Sequence, residues 1–354
     1  MFLAWKEIKY NKARFALVIS LIVLITYLVY FLIALAYGLA SSYTNVITTI
    51  SPNNIILSDD SNDNVMMSML DNEIFDNLEV EGQKAKLGIF PAIVILNQND
   101  TNILETKEEV YVFGIEDLKF FIPNSKTQLN DNEIIVDNSL QKKGYEIGDY
   151  ISISGTKIKW KIVGFTNKMT FQTAPVMFVN LNNWQEYRFN NTNTNLYNTI
   201  WVKGKITNLN NNLTTYTTNE YANTLPGYTA QVLTFSLMIG FLIVIIAFVL
   251  GIFIYVLTIQ KSNIFGVMKA QGISSRYIGN SVISQTIILV TIGAAIGFLL
   301  TTITGLLLTS KVPFANNFIL YTLVTIAFYI FTIIGALFSY KAVVKIDPVK
   351  AIGW

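Results

Sequence analysis

Long apolar stretches separated by polar ones set the organisation of this chain. No charged residue lies between Arg14 and Asp59, and the densest apolar part covers residues 15–40. About 20 helical residues cross the hydrocarbon core of a bilayer, so this stretch predicts a span with some tilt. Its Ser/Thr/Asn-rich continuation, 41–50, predicts the helix carrying on above the membrane. Basic residues before it and Ala34-Leu35-Ala36 also suit a cleaved signal peptide. The apolar run is longer than the roughly 7–15 residues of a signal core, which favours an uncleaved anchor. Three further charge-free runs, 232–258, 278–308 and 318–340, are each long enough to span.

The stretch between the first two spans has another pattern. Short β-rich runs recur at 54–57, 89–96, 110–113, 133–136, 150–154, 159–165, 176–179 and 199–202. Turn signals such as Asn130-Asp131-Asn132 and Ser154-Gly155-Thr156 separate them. A short helix is expected over 138–143, stopping near Gly144, and another from Thr217 that Pro226-Gly227 interrupts. The fold class expected is therefore an integral membrane protein, four transmembrane helices with a large α+β domain between the first and second.

Charge fixes the expected orientation. Lys6, Lys9, Lys12 and Arg14 precede the first span, Lys261, Lys269 and Arg276 lie between the second and third, and Lys341, Lys345 and Lys350 follow the fourth. Lys311 alone lies between the third and fourth. The positive-inside rule then puts both termini and the 259–277 loop in the cytoplasm. The order reads as a cytoplasmic amphipathic helix 1–14, a first span with its extension 15–44, an extracytoplasmic domain 45–231, and a span 232–258. A cytoplasmic loop 259–277, a span 278–308, an external loop 309–317, a span 318–340 and a cytoplasmic tail 341–354 complete it. In 1–14, Phe2, Trp5 and Ile8 share one face opposite Lys6, Lys9 and Lys12, which suits a helix lying at the inner interface. A disordered basic leader is the alternative.

Composition narrows the chemistry. Only 14% of residues are charged, against about a quarter in soluble domains, as expected of a chain that largely faces lipid. A net charge of +2 gives no reason to expect a nucleic-acid partner. Cysteine and histidine are absent, which removes disulfides, thiol chemistry and the usual general base near neutral pH. The spans hold no Asp, Glu, Lys or Arg, the groups that proton- or ion-driven transporters use to carry charge. No G-x-x-x-x-G-K-[ST] loop occurs; Gly204-Lys205 lacks both the upstream glycine and the hydroxyl residue. If the chain transports, a partner must supply the energy, and the chain itself is not expected to be an enzyme.

The 259–277 loop is the candidate docking element. Ile264, Val267 and Met268 fall at helical spacing, and Gly272 marks an expected helix stop. Such a helix suits a groove on a cytoplasmic protein, or equally a membrane-surface loop with snorkelling lysines. Gly293-Ala294-Ala295-Ile296-Gly297 provides a G-x-x-x-G step that fits packing within the chain or against a second copy.

At this loop the sequence resembles the FtsX/MacB-type permease superfamily. The run Phe265-Gly266-Val267-Met268-Lys269-Ala270-Gln271-Gly272 is similar to its FGxLKAxG segment, and Asp347-Pro348-Val349-Lys350-Ala351-Ile352 to its DPxxAI ending. Gly144-Tyr145-Glu146-Ile147-Gly148-Asp149 resembles the GxxxGD pattern of its external domain. The resemblance covers nearly the whole chain. It implies a type VII ABC permease, a homodimer served by two cytoplasmic ATPase subunits that bind ATP and magnesium. It also implies that Ile264 to Lys269, with Gly272, form a coupling helix, and that ATPase closure works the external domains mechanically.

Within that superfamily the chain looks like the haem-exporter permeases of Gram-positive bacteria, the HrtB type. Leu3-Ala4-Trp5-Lys6-Glu7-Ile8, the run Tyr255 to Lys261, and Gly227-Tyr228-Thr229-Ala230-Gln231 carry this likeness. It implies haem as a transported ligand and no permanently bound cofactor. Without His or Cys, iron could meet only Tyr, Met, carboxylate or weaker donors. Tyr228 matches a tyrosine of those permeases; Tyr37, Tyr43 and Met238 are the other candidates near the outer boundary. Gln231 departs from the pattern, standing where an acidic residue is expected in some haem-exporting relatives. Soft donors in Met66, Met67 and Met69 are a further option, against ordinary packing. Export of a peptide, antibiotic or lipid fits the same architecture. So does activation of a cell-wall enzyme with no transport.

Overall fold

The computed structural model describes residues 2–10, 12–96, 107–123, 129–154, 159–191, 194–308 and 312–344, without the side chains at 2–5, 14, 96, 250, 339, 342 and 343. Lys311, Lys345, Lys350, the Asp347–Ile352 ending and most of the turn expected at Ser154-Gly155-Thr156 lie outside the described residues. Two compact units result: Met1–Gly38 with Val232–Trp354, and the inserted Leu39–Gln231. Helix α1 covers Phe2–Tyr10 and α2 covers Lys12–Ile50, so α2 runs on through the Ser/Thr/Asn-rich stretch.

The inserted unit contains β1 (Asn54–Ser58), α3 (Asn72–Asn77), β2 (Glu79–Leu96), β3 (Lys107–Ile115), α4 (Leu118–Phe121), β4 (Glu133–Asp137) and α5 (Asn138–Gln141). It continues with β5 (Tyr150–Ile153), β6 (Lys159–Thr166), β7 (Thr170–Phe171), β8 (Ala174–Asn180), α6 (Leu181–Phe189), β9 (Thr199–Asn208), β10 (Leu213–Tyr216) and α7 (Thr218–Thr224). The strands form one mixed sheet in the order β10-β1-β9-β2-β3-β8-β4-β6-β5, with β7 on β8. Pairing of β5 back onto β2, with Val94 opposite Ile153, closes a circuit through β3, β8, β4 and β6. The β3–β8 and β4–β6 pairs are parallel.

Both faces of the sheet are buried, which explains why its strands read as near-continuous apolar runs. Ile56, Phe90, Val94, Val112, Val136, Met177 and Ile200 point to one core. Their neighbours Ile55, Ile89, Phe113, Ile135, Phe178 and Trp201 point to the other. Helix α6 covers the first: Trp184 lies on the strands where a Cβ at Gly88 or at Gly114 would come within 2.3 Å of it. The C-terminal end of α2 covers the second, through Val46, Ile47 and Ile50. Strand β2 begins ten residues before the expected run, because its polar half, Glu79 to Lys86, pairs with β9 on a partly open side. Helix α7 begins with a capping box, Thr217 and Glu220 each satisfying the other's backbone amide.

The helical unit continues with α8 (Tyr228–Gln260), α9 (Ser262–Ala270), α10 (Ser275–Leu308) and α11 (Phe318–Val344). Segments Phe15–Ile50, Tyr228–Gln260, Ser275–Leu308 and Phe318–Phe338 are long and apolar enough to cross a membrane. The G-x-x-x-G step is used inside the chain. A Cβ at Gly293 would meet Ile22 at 2.3 Å, and one at Gly297 would meet Thr26 Oγ1 at 2.2 Å. Thr26 Oγ1 also donates across this crossing to the Gly293 carbonyl at 3.1 Å. The stretch after α10 folds back on α2, where the Ala315 amide donates to the Ala34 carbonyl at 3.2 Å. Helix α8 is the least enclosed span, 12% buried against 33%, 39% and 28% for the others, which leaves most of it to lipid or to another chain.

Candidate functional site

Helix α9 has a defined break at each end. Helix α8 ends at Gln260 and α9 starts at Ser262, so Lys261 forms an elbow with φ −98° and ψ 6°. At the far end the Ile273 amide donates to the Met268 carbonyl and the Gly272 amide to the Lys269 carbonyl, at 3.0 and 2.9 Å. With Gly272 at φ +88° this is a Schellman stop, a conformation that favours glycine. Ile273 and Met268, the hydrophobic pair of that motif, both pack on a small core of Ile254, Phe265, Ile278, Val282 and Ala336.

The faces of α9 differ from the expected stripe. Ile264 and Val267 are 58% and 43% exposed, whereas Phe265 is 2% exposed and Gly266 is buried. Met268 turns inward with Phe265, so it does not share a face with Ile264 and Val267. Two apolar side chains remain outward, while the inward ones hold the helix to α8, α10 and α11. Lys269 reaches the carbonyl of Val344 at the end of α11, 2.9 Å away.

Behind the elbow lies a feature with no counterpart in the sequence reading. Lys261 Nζ is 2.9 Å from Glu7 Oε2 of α1 and 3.4 Å from Gln285 Oε1 of α10. Gln285 Nε2 donates to the same Glu7 oxygen. The ammonium also lies 5.1 Å from the centroid of the Phe15 ring. Lys261 and Gln285 are 6% and 7% exposed. Glu7 and Ile8 therefore turn inward from α1, and Ile8 packs on the helical core rather than defining a membrane face. Phe2 and Trp5, expected on that face, have side chains outside the described set.

The inserted unit has a second cluster, rich in tyrosine. The Tyr43 and Tyr228 rings lie 5.9 Å apart, tilted by 50°. The turn between β7 and β8 grips α2 here: the Gln172 amide donates to the Tyr43 carbonyl at 3.0 Å and the Thr173 amide to the Ser42 carbonyl at 3.2 Å. Tyr111 Oη donates to Gln172 Oε1 at 2.8 Å. Burial, then Glu109 and Tyr43, pushes the Tyr111 phenol above its ordinary pKa. Burial also pushes Tyr221 upward, and its hydroxyl has no hydrogen-bond partner among the described residues. Gln231 Nε2 is likewise enclosed without a partner there.

Of the sequence candidates, the structure brings Tyr43 and Tyr228 together in the inserted unit, with Gln231 one turn along from Tyr228. Tyr37, 38% exposed, and the half-buried Met238 belong to the helical unit. Met67 is exposed and Met66 packs on the second core of the sheet. Sequence reasoning missed Tyr111 and Gln172, which reach the cluster through sheet topology, and Tyr221, which comes from α7 beside Tyr111. It also missed the Glu7–Lys261–Gln285 group; the signal available was a lone glutamine placed early in an apolar span.

Residues 228–348 match the FtsX-like permease C-terminal family model. Over the full chain, two proteins named as hemin transport system permease HrtB, from Staphylococcus epidermidis strains ATCC 12228 and RP62A, are each 27% identical across 363 residues, covering 100% of this chain and 99% of theirs. A Staphylococcus haemolyticus protein of the same name is 26% identical over 360 residues with the same coverage. A crystal structure of the periplasmic region of MacB from Actinobacillus actinomycetemcomitans aligns with 51% of this chain and 95% of that one, at 10% identity and a TM-score of 0.34.

Proposed function

We propose that this chain, a membrane protein carrying an FtsX-like permease domain, is the permease subunit of an ABC exporter whose cargo is haem. One observation carries the reading most directly. Helix α9 offers Ile264 and Val267 outward on an inward-packed base, between two apolar spans, 232–258 and 278–308, that hold no Asp, Glu, Lys or Arg. A chain so built needs an outside source of work, and α9 is the element suited to receive it.

On this reading both termini and α9 face the cytoplasm, the inserted unit faces outward, and two copies pair with two ATPase subunits. The weakly enclosed α8 suits that pairing. ATPase closure pulls α9, and the helical unit transmits the displacement without chemistry of its own. Haem is a substrate here. The names of the full-length relatives support it, and Tyr43 with Tyr228 presents two aromatic faces and two phenol oxygens of the kind a ferric porphyrin accepts. Gln231 supplies an amide where a carboxylate would be expected, so the two tyrosine oxygens carry the contact.

Two linked measurements test the reading. A deletion strain complemented with the chain and its ATPase partner is expected to grow in haemin at concentrations about tenfold above the strain lacking them. Purified chain in proteoliposomes is expected to stimulate the partner's ATP hydrolysis. Unchanged haemin tolerance with normal expression rejects the cargo. Absence of any stimulation rejects the permease–ATPase coupling.

A further inference from the structure

We propose that Glu7, Lys261 and Gln285 form a charged clasp that sets the angle of α9, making α1 a working part of the lever. The proposal rests on α9 being the docking element and adds the residues that position it.

The elbow between α8 and α9 has none of the usual sequence causes. Residues Gln260, Lys261 and Ser262 include neither proline nor glycine, the residues at which helices most often break. What distinguishes Lys261 is its side chain, which leaves the helix axis and turns inward between α1 and α10. There Glu7 Oε2 and Gln285 Oε1 accept from it at 2.9 and 3.4 Å, and the Phe15 ring lies 5.1 Å away. Gln285 closes the triangle by donating to Glu7. Each polar group thus answers another, as a charge withdrawn from water requires. A cavity of about 20 Å³ beside them, lined by Phe15, Thr258, Gln285 and Thr286, has room for about one water molecule.

The placement matters more than the energy. The backbone of Lys261 bridges the two helices: its amide donates to the Thr258 carbonyl, and its carbonyl accepts from the Phe265 amide at 3.0 Å. Any tilt of α9 about the elbow displaces the ammonium, and with it Glu7 and α1. Buried ion pairs add little net stability compared with apolar replacements, but in some proteins they specify one geometry, because the alternatives strand a charge. An apolar elbow would hold α9 as firmly on average yet permit several angles. The clasp selects one. It also ties α1 and α10 to each displacement of α9, so that a pull on the docking helix is delivered to two further elements.

The chain contains no cysteine, so spin labels can be placed at will. Tyr10 and Val267 are 89% and 43% exposed, on α1 and α9. Labels at Tyr10→Cys and Val267→Cys in the full-length chain report the α1–α9 distance distribution in nanodiscs. The neutral variant Glu7→Gln/Lys261→Met keeps side-chain volume and leaves no charge unpaired. It is expected to fold and insert but to broaden the distribution at least twofold. In the complex, on the chain without labels, it is expected to keep stimulated ATP hydrolysis within about threefold while transport per ATP falls about tenfold. The swap Glu7→Lys/Lys261→Glu is expected to restore the narrow distribution. A purely structural role would instead lower thermal stability without separating hydrolysis from transport. An unaltered distribution in the neutral variant overturns the clasp. A wild-type complex with no stimulated hydrolysis overturns the docking reading on separate grounds, since the distance measurement needs no ATPase.

Discussion

A β-carbon on Gly297 would stand 2.2 Å from Thr26 Oγ1 and 2.9 Å from the Tyr27 backbone nitrogen. The first contact could yield by rotation of a side chain; the second involves main chain and cannot. Gly240 of α8 is the natural contrast, because nothing lies within 4 Å of the same added carbon. Gly297→Ala is therefore expected to cost about 1–3 kcal/mol through overpacking, whereas Gly240→Ala should be neutral or slightly stabilising through helix propensity. Thermal unfolding of the two variants in one detergent checks the pair. Equal midpoints would mean that α2 and α10 do not meet at this step. The sequence displayed the G-x-x-x-G spacing but not its partner, because small residues at that interval serve any close helix crossing. Thr26, which completes the contact, looks in sequence like one polar residue among many apolar ones. The same limit hid Glu7 and Lys261, whose 254-residue separation no local pattern bridges.

At the scale of the element, α9 was legible as a short helix with its stop but not in orientation. Its spacing put Ile264, Val267 and Met268 on one stripe; in nine residues that bend back onto three other helices, apolar side chains occur on both sides. Burial then decides which residues are free to dock. Gly266 and Met268 face inward, so substitutions there disturb packing. Ile264→Glu and Val267→Glu act on the outward face. Each places an unpaired carboxylate where an apolar side chain would enter a partner's groove. An expected loss of about 2 kcal/mol of docking corresponds to roughly 30-fold weaker ATPase binding. Titration of the ATPase against reconstituted permease checks this, with membrane insertion and thermal midpoint expected to stay at wild-type values. Undiminished affinity in both variants would remove α9 from the interface. The strands were easier to see than this helix, since a sheet buried on both faces produces dense apolar runs. The polar half of β2 was missed for the converse reason.

For the whole molecule, the instructive segment is the C-terminal end of α2. The sequence indicated that this helix continues to Ile50 but gave no reason why it should. Within the inserted unit the reason is plain: Val46, Ile47 and Ile50 are 0%, 0% and 5% exposed and complete the second core of the sheet, opposite Phe113, Phe178 and Trp201. Backbone amides of Gln172 and Thr173 fix the helix there, assisted by Asn45 Nδ2 donating to Thr170 Oγ1 at 3.0 Å. Burial of three such side chains is worth on the order of 5 kcal/mol, against the roughly 5–15 kcal/mol that typically holds a whole domain. A fragment starting at Asn54 should consequently lose most of its stability, while one starting at Leu39 should unfold cooperatively. Urea titrations followed by fluorescence of Trp160, Trp184 and Trp201 compare the two directly. Ile47→Ser in the longer fragment is expected to lower the midpoint part of the way. Coincident titration curves for the two fragments would show that the sheet closes its core without the helix. The inserted unit would then have to be treated as a free domain instead of one built around the first span.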